Sequence, residues 1–274
     1  MTKIPERKPV ATAKRIADKP KPAPKAAEPT RKKLTAPLAT DRPGNTDPAT
    51  TVAPMHFQIE TGFFWQNATR NDRSVKTYSF PTTLRFGIIN GLEVRLRSDI
   101  IAIQAHEGED TDVGATDTVF GFRTRLLSGH GYVPTLAFQF ELGIPSGSEA
   151  FSAQAVVPEF QFNAAFNLPA GLWLGLNTDF DATNDTSNDQ SYWRWGAAAQ
   201  LGFRPVAFDK IAVYVDIFSK MALDGDHSAT DLLFLSGGLT YLLSLNTQVD
   251  VWAQGGLNDA SSDFALGAGF AYRL

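Results

Sequence analysis

The connections between predicted β-strands constrain this chain more than any other feature of its sequence. From about residue 56 to Leu274, segments of alternating apolar and polar residues are joined by short turns and longer polar stretches in strict alternation. The short turns lie at 90–91, 128–131, 169–171, 205–209 and 244–246, and the longer stretches at 67–73, 105–115, 146–154, 182–190, 223–229 and 258–262. A transmembrane β-barrel has this asymmetry because its two rims face different compartments and one of them carries long loops.

Counting the segments between these connections predicts an all-β, antiparallel, up-and-down transmembrane β-barrel of about twelve strands over residues 55–274. The predicted strands are 56–66, 75–88, 92–104, 117–127, 132–144, 155–167, 172–181, 191–204, 210–221, 231–242, 247–256 and 263–274. An even strand number places both ends of the barrel on the short-turn side, as in single-chain bacterial barrels. Closure would satisfy every strand's backbone polar groups without leaving an edge.

The two faces of these strands decide between a membrane barrel and a soluble one. In the last strand Phe264, Leu266 and Phe270 share one face, and Ala265 and Arg273 share the other. A soluble sandwich or lipocalin-like barrel also alternates, but its apolar face points inward. Large apolar residues along whole strands, and aromatic residues near strand ends, favour the membrane barrel.

Two places disagree with this alternation. Pro81 falls inside the second predicted strand, which predicts a bulge there because proline donates no backbone hydrogen bond. Ile101 and Ile103 are apolar on the face that the alternation assigns to the interior.

The first 54 residues differ from the rest in composition. They hold 10 of the 16 prolines, no Trp, Tyr or Phe, and 12 Lys and Arg against 5 Asp and Glu, whereas the remainder has 13 against 24. Such a segment buries too little apolar surface to offset its ordering entropy, so we predict a disordered basic arm over 1–54. An arm of this charge could bind peptidoglycan, lipid head groups or a periplasmic partner, or act as a passive tether.

Several other classes of structure and activity are disfavoured. The absence of cysteine excludes disulfides, cysteine-ligated zinc and thiol catalysis, and no apolar run reaches the length of a transmembrane helix. The first residues lack the apolar core of a secretory signal, which leaves open a start internal to a longer gene, an omitted signal, and an organelle barrel that has none. No pattern predicts a cofactor site, and none indicates nucleic-acid binding.

Two weak candidates for other chemistry lie in the predicted long loops. His227 with Asp224 or Asp226 could form a catalytic dyad, but nothing places a serine nucleophile beside it, and a solvated histidine is favoured. A run of acidic residues could bind divalent cations, but its spacing matches no known site and favours a solvated loop. The acidic residues are Glu107, Glu109, Asp110 and Asp112. We therefore predict neither a catalytic site nor a metal site.

Two stretches resemble a known family. Residues 78–95, YSFPTTLRFGIINGLEVR, are similar to the hairpin P-x-x-L-R-[YF]-G-[LI]-x-[DN]-x-[LV]-E-[LV]-R of a family of outer-membrane transporters labelled as proteins of the meta-pathway of phenol degradation. Residues 117–127, DTVFGFRTRLL, with LGIPSG at 142–147, resemble that family's next hairpin. The resemblance covers roughly 56–274 and implies a barrel of the bacterial outer membrane that passes small molecules, aromatic ones among them.

The end of the chain carries a second resemblance. Gly269, Tyr272 and Leu274 resemble the C-terminal assembly signal of outer-membrane proteins, with Leu in place of the usual Phe. This implies the barrel-assembly machinery, outer-membrane lipid and lipopolysaccharide as partners, beside a small-molecule solute.

The inward-facing positions hold eight basic and eight acidic residues. The candidates for lining the lumen and contacting a solute are Glu93, Arg95, Arg97, Asp99, Arg123, Arg125, Glu141, Glu159, Asp179, Arg194 and Asp216. A sign-selective pore would show mostly one sign, so the balance predicts a narrow, partly filled interior. Two interpretations stay open: an ion-pair lattice that stabilises the wall, or a ladder of Arg95, Arg97, Arg123 and Arg125 that contacts anionic or aromatic solutes.

The sequence therefore predicts an outer-membrane channel or transporter for small solutes, aromatic or anionic ones among them. The alternative is a structural or anchoring protein whose basic arm binds peptidoglycan or a periplasmic protein, and an outer-membrane hydrolase is a less favoured third interpretation.

Overall fold

The computed structural model describes residues 34, 36–70, 73–185, 190–224, 227 and 230–274. The strands are β1 (Phe57–Arg70), β2 (Arg73–Ile89), β3 (Leu92–His106), β4 (Thr111–Gly114), β5 (Thr118–Leu127), β6 (Thr135–Ile144), β7 (Val157–Asn167), β8 (Leu172–Asp185), β9 (Gln190–Phe203), β10 (Ile211–Ala222), β11 (Leu232–Ser244), β12 (Thr247–Gly256) and β13 (Phe264–Arg273). Short 3-10 turns lie at Glu149–Phe151, Pro169–Gly171 and Val206–Phe208. Within the described ranges, no helix has the length and apolar character needed to cross a membrane.

Twelve of these strands close into an antiparallel barrel. Each pairs with its neighbours along the chain, with β3 pairing to β5, and the seam joins β1 to β13 in the register Gln58↔Arg273. The short strand β4 pairs only with the outer part of β3 among the described residues and so adds to one rim. The predicted twelve-stranded barrel is confirmed.

The barrel is apolar outside and charged inside. On β10, Val213, Val215 and Ile217 are exposed, whereas Tyr214 and Asp216 between them are buried. The largest fully buried side chains are polar or charged: Arg85, Arg123, Gln58, Glu60, Glu93 and Glu141. A soluble barrel has the opposite arrangement, so the apolar face is a lipid-facing surface.

The two rims differ as predicted, but the strands are longer than expected on one of them. At the short-turn rim the backbones of Phe57 and Leu274 bond to each other, and β2 and β3 are joined by a two-residue turn in which Gly91 has φ 89°. At the other rim, β1, β2, β8 and β9 continue through most of the predicted loops 67–73 and 182–190. The tips of these two loops, 71–72 and 186–189, lie outside the described residues. Cross-strand pairing therefore carries the wall beyond the predicted strand ends.

The predicted bulge at Pro81 is present. The β2–β3 register shifts between Ser79 and Pro81, where proline has no N–H to pair. Beyond the shift Ala102 faces the lumen and is 2% exposed, while Ile101 is 47% exposed to the outside. The assignment of Ile101 and Ile103 to the interior is therefore wrong, because the bulge reverses which residues of β3 point inward.

Candidate functional site

Residues 36–54, called here the inserted segment, lie inside the barrel. The segment enters at the short-turn rim, where the Leu38 N–H donates to the Leu245 carbonyl at 2.8 Å, and it leaves where the Met55 N–H donates to the Gly87 carbonyl at 2.8 Å. The prediction of disorder up to residue 54 is wrong for 36–54. Charged and polar groups of the wall bind this segment through hydrogen bonds and ion pairs, so it is ordered without an aromatic core. Residues 1–33 and 35 lie outside the described residues, so the basic arm stays a prediction there.

The inserted segment crosses the lumen from wall to wall. The backbone N–H of Asn45 donates to Asp216 Oδ2 on β10 at 2.9 Å, and that of Asp47 donates to Asn177 Oδ1 on β8 at 2.6 Å. On the opposite side the Val52 N–H donates to Glu93 Oε2 on β3 at 2.6 Å. The segment therefore fills the half of the lumen next to the short-turn rim.

Wall glycines allow the segment to approach closely. A Cβ on Gly87 would lie 2.1 Å from the carbonyl oxygen of Ala53, and one on Gly269 would lie 2.2 Å from Arg42 Nε. Arg42 also places its Nη2 3.3 Å from Asp250 Oδ1 on β12. These glycines are therefore part of the fit between wall and segment.

Three wall arginines, called here the arginine cradle, surround the carboxylate of Asp41. Arg85 Nη1 lies 3.1 Å and Arg123 Nη1 2.8 Å from Asp41 Oδ1, and Arg95 Nη1 lies 2.7 Å from Oδ2. Burial raises the pKa of Asp41, but the attraction of Arg123, Arg85 and Arg95 outweighs it and holds the pKa well below its ordinary value. Asp41 is therefore a carboxylate held in place by positive charge.

The three cradle arginines differ in the hydrogen-bond and ion-pair partners that other wall residues offer them. Arg85 bonds through Nε to Glu93 at 2.9 Å and through Nη1 to Glu60 at 2.8 Å. Arg95 donates through Nε to Glu141 at 2.8 Å. On the wall, Arg123 donates only to the neutral Gln139 among the described residues, through Nε at 2.8 Å.

Both Nη groups of Arg123 turn instead to the inserted segment. Nη1 contacts Asp41, and Nη2 donates to Asp47 Oδ2 at 2.8 Å. The nearest wall carboxylate, Glu93, lies 3.9 Å from Nη1. The segment therefore supplies most of the negative charge that faces this buried guanidinium.

A second ion-pair cluster lies on β8, β9 and β10. Lys220 Nζ lies 2.8 Å from Asp179 Oδ2 and 2.7 Å from Asp181 Oδ1, and Arg194 Nη2 lies 2.5 Å from Asp181 Oδ2. This cluster faces the arginine side of the barrel across the part of the lumen that the inserted segment does not fill.

A cavity of about 340 Å³ separates the two clusters. Its charged lining includes Arg97, Asp99, Glu141, Glu159, Asp181, Arg194 and Lys220, and its apolar lining includes Val119, Phe151 and Val157. The Arg97 side chain is 43% exposed and lies 2.8 Å from Glu141 Oε2 and 3.9 Å from Glu159 Oε2. Its Nε finds no hydrogen-bond partner among the described residues.

Most predicted lumen residues face the interior, in four places. Glu93, Arg95, Arg123 and Glu141 meet at the cradle with Arg97 beside it, Asp179 and Arg194 belong to the second cluster, Asp99 and Glu159 line the cavity, and Asp216 holds the inserted segment. Of the four arginines of the predicted ladder, Arg125 lies apart from the cradle and donates to Asn90 Oδ1 at 2.8 Å in the short turn, whereas Arg85 belongs to the cradle. That these residues contact a solute stays a prediction.

The residues that the sequence reasoning missed are those of the inserted segment, chiefly Asp41, Arg42, Asn45 and Asp47. A signal for them exists. Residues 1–33 hold eleven of the twelve basic residues of the predicted arm, and only Arg42 follows among residues 34–54. The change in composition therefore falls near residue 34, about twenty residues before the predicted boundary.

The other candidates lie at the long-loop rim. His227 Nδ1 lies 2.7 Å from Asp224 and its Nε2 3.8 Å from Asp185, and its ring stacks on Tyr192 at 3.9 Å. Asp226 lies outside the described residues. In the acidic loop Glu109 pairs with exposed Arg73 at 2.6 Å, and no metal-binding group of three or more His, Cys, Asp or Glu occurs in the described part of the chain.

Comparison with known proteins agrees with this architecture. A family model described as "Putative MetA-pathway of phenol degradation" matches residues 40–274, so the match begins within the inserted segment. No curated protein matches the chain. An outer membrane channel from Pseudomonas putida F1 matches with a TM-score of 0.64 and 11% identity, over 84% of this chain and 100% of that one.

A second solved structure, the translocator domain of the autotransporter NalP from Neisseria meningitidis, matches with a TM-score of 0.55 and 12% identity, over 82% of this chain and 90% of that one. At these identities the likeness shows the fold, which is that of outer-membrane β-barrels.

Proposed function

Because the chain belongs to the family described as "Putative MetA-pathway of phenol degradation", we propose that it is an outer-membrane channel for small solutes whose resting state is closed by its own residues 36–54. The observation that carries the proposal is the division of one lumen into two halves. The half next to the long loops holds a cavity of about 340 Å³, and the other half is filled by the inserted segment.

The cavity is large enough for a small organic molecule and combines ion pairs with apolar side chains. Passage beyond it requires that the inserted segment move, because the segment bonds to strands on opposite sides of the lumen. The solved structure of the Pseudomonas putida channel, which shares the fold, supports transport as the activity, and the cavity lining offers apolar side chains to an aromatic body and the cations Arg97, Arg194 and Lys220 to an anionic group.

The test ties the inserted segment to the wall and measures solute entry. Thr46 Cγ2 lies 2.9 Å from the position of a Cβ on Gly175, which suits a disulfide between Thr46→Cys and Gly175→Cys, and the chain has no other cysteine. Proteoliposomes containing this variant are compared in swelling assays with phenolic acids, sugars and amino acids, before and after reduction. The single-cysteine variants are the controls.

We expect the reduced protein to admit at least one solute class and the oxidised protein to admit several-fold less. Absence of swelling for every solute, in the wild type and in the reduced variant, contradicts the channel. Equal swelling in both redox states contradicts closure by the segment.

A further inference from the structure

Arg123 is a buried wall cation whose nearest anions belong to the inserted segment. Its guanidinium is fully buried, and the wall offers it one neutral hydrogen-bond acceptor within 3 Å, Gln139. Asp41 and Asp47 of the inserted segment satisfy its two Nη groups at 2.8 Å each. A buried charge that loses its partner is strongly destabilising, so movement of the segment leaves a site that favours another anion.

We propose that the arginine cradle is a binding site for the carboxylate of the transported solute, and that Asp41 of the inserted segment occupies this site when no solute is bound. Three guanidinium nitrogens on three strands, β2, β3 and β5, converge on one carboxylate at 2.7 to 3.1 Å. Fork-shaped guanidinium donors in this number suit a planar carboxylate better than they suit a single-atom anion. The proposal rests on the channel function proposed above.

A solute reaches the cradle from the cavity through Arg97. The Glu141 carboxylate joins the two, with Oε1 2.8 Å from Arg95 and Oε2 2.8 Å from Arg97. The Arg97 side chain lines the cavity and is 43% exposed. Arg97 in the cavity lining and Arg95 in the cradle are therefore adjacent, joined by one carboxylate.

The remaining lining narrows the class of solute. Asp99 and Glu159 border the cavity, and the shortest ion-pair distance for Glu159 is 3.9 Å, to Arg97. These carboxylates repel multiply charged anions, whereas Phe151 and Val157 favour an apolar body. The site therefore fits a solute with one carboxylate and an apolar remainder.

The test uses the full-length protein in detergent micelles with one introduced thiol, Thr46→Cys. Thr46 is buried in the inserted segment, 7% exposed, and the chain contains no cysteine of its own. Reaction with the neutral reagent 4,4′-dithiodipyridine then reports displacement of the segment. The rate is measured in benzoate, in its neutral analogue benzamide and in chloride, at equal ionic strength, with exposed Thr111→Cys as the control for direct effects on the reagent.

We expect benzoate to raise the reaction rate of the Thr46→Cys variant at least five-fold with saturation, and benzamide and chloride to leave it unchanged. In Arg123→Gln the benzoate dependence is expected to disappear, and in Arg123→Lys, which keeps the charge but loses the fork, to weaken. Equal rates in benzoate, benzamide and chloride overturn the proposal, as does a benzoate response that survives both substitutions unchanged.

These outcomes are separable from those of the channel test, because the thiol rate requires no membrane. A benzoate response without solute entry into vesicles leaves the carboxylate site standing and removes the transport function. Solute entry into vesicles together with a thiol reaction rate that does not depend on benzoate leaves the transport function standing and removes the carboxylate site.

Discussion

Replacing Asp41 by asparagine removes one negative charge from the centre of the arginine cradle while keeping the size of the side chain. Three guanidinium nitrogens lie 2.7, 2.8 and 3.1 Å from this carboxylate. We expect Asp41→Asn to release the inserted segment and to increase the time that the channel spends open.

The magnitude follows from the competition between burial and attraction. Opposite unit charges about 4 Å apart attract by roughly 4 kcal/mol at an effective dielectric constant near 20, and burial offsets much of this. Three guanidinium groups within 3.1 Å of the carboxylate favour attraction over the cost of burial, in line with the lowered pKa of Asp41. Breaking a buried ion pair costs about 3–5 kcal/mol, and asparagine can still accept one hydrogen bond, so we take about 3 kcal/mol, or roughly a 100-fold shift toward the released state.

The sign of the pKa shift also fixes the pH range of the assay. Because the pKa is depressed, the Asp41 contact stabilises the closed state above the ordinary value of 3.8 and is lost only as the pH falls below it. Recordings between about pH 6 and 8 therefore compare the wild type and the variant with this contact fully ionised in the wild type.

Single-channel recording in planar bilayers measures the open fraction. Asp47→Asn is a graded control, because Asp47 is more exposed than Asp41 and contacts one cradle arginine at 2.8 Å and a second at only 4.0 Å. Asp112→Asn at the rim is the neutral control. The expected order of open fraction is Asp41→Asn, then Asp47→Asn, then Asp112→Asn equal to wild type. An unchanged open fraction in Asp41→Asn refutes the reasoning that the cradle holds the segment.

Three further outcomes follow from other parts of the barrel. Gly87→Ala places a Cβ 2.1 Å from the Ala53 carbonyl oxygen, so the open fraction of this variant channel should rise. In the control Gly255→Ala the new Cβ meets nothing within 4 Å, and its open fraction should match the wild type. Equal open fractions in the two variants contradict a close fit between wall and segment. Lys220→Met removes the positive centre of the second cluster, and reversal potentials in a salt gradient should shift toward cation selectivity; no shift means that ions bypass this cluster. Val215→Arg places a charge on the lipid face and should lower the free energy of unfolding by about 2–4 kcal/mol in urea titrations from bilayers, with a change below about 1 kcal/mol arguing against membrane burial of this face.

The barrel could be predicted because lipid imposes a rule on every strand. Phe264, Leu266 and Phe270 must point outward in any closed barrel, so one strand's alternation fixes the phase of its neighbours through pairing. The rule failed locally at Ile101, because the bulge opposite Pro81 shifts the inward–outward alternation of β3 by one residue. The alternation of apolar and polar residues does not by itself locate such a bulge.

The filling of the lumen could not be predicted in the same way. Wall charges such as Glu93 and Arg123 are balanced in number, and a count does not show that Arg123 lacks a wall carboxylate within 3 Å. That shortage depends on register, which pairs Arg123 with Gln139 across β5 and β6. Asp41 lies in a segment whose composition indicates disorder in water. The segment is ordered because it binds to the charged barrel interior, whose ion pairs it completes.

Consecutive residues of the inserted segment bind opposite ends of the chain, and this links its docking to the order of assembly. Asp41 contacts arginines on β2, β3 and β5, whereas Arg42 contacts Asp250 on β12, 208 residues away. The segment precedes every strand in the chain, yet both contacts exist together only after β13 has joined β1. We therefore expect complete docking of this early segment to follow closure of the seam.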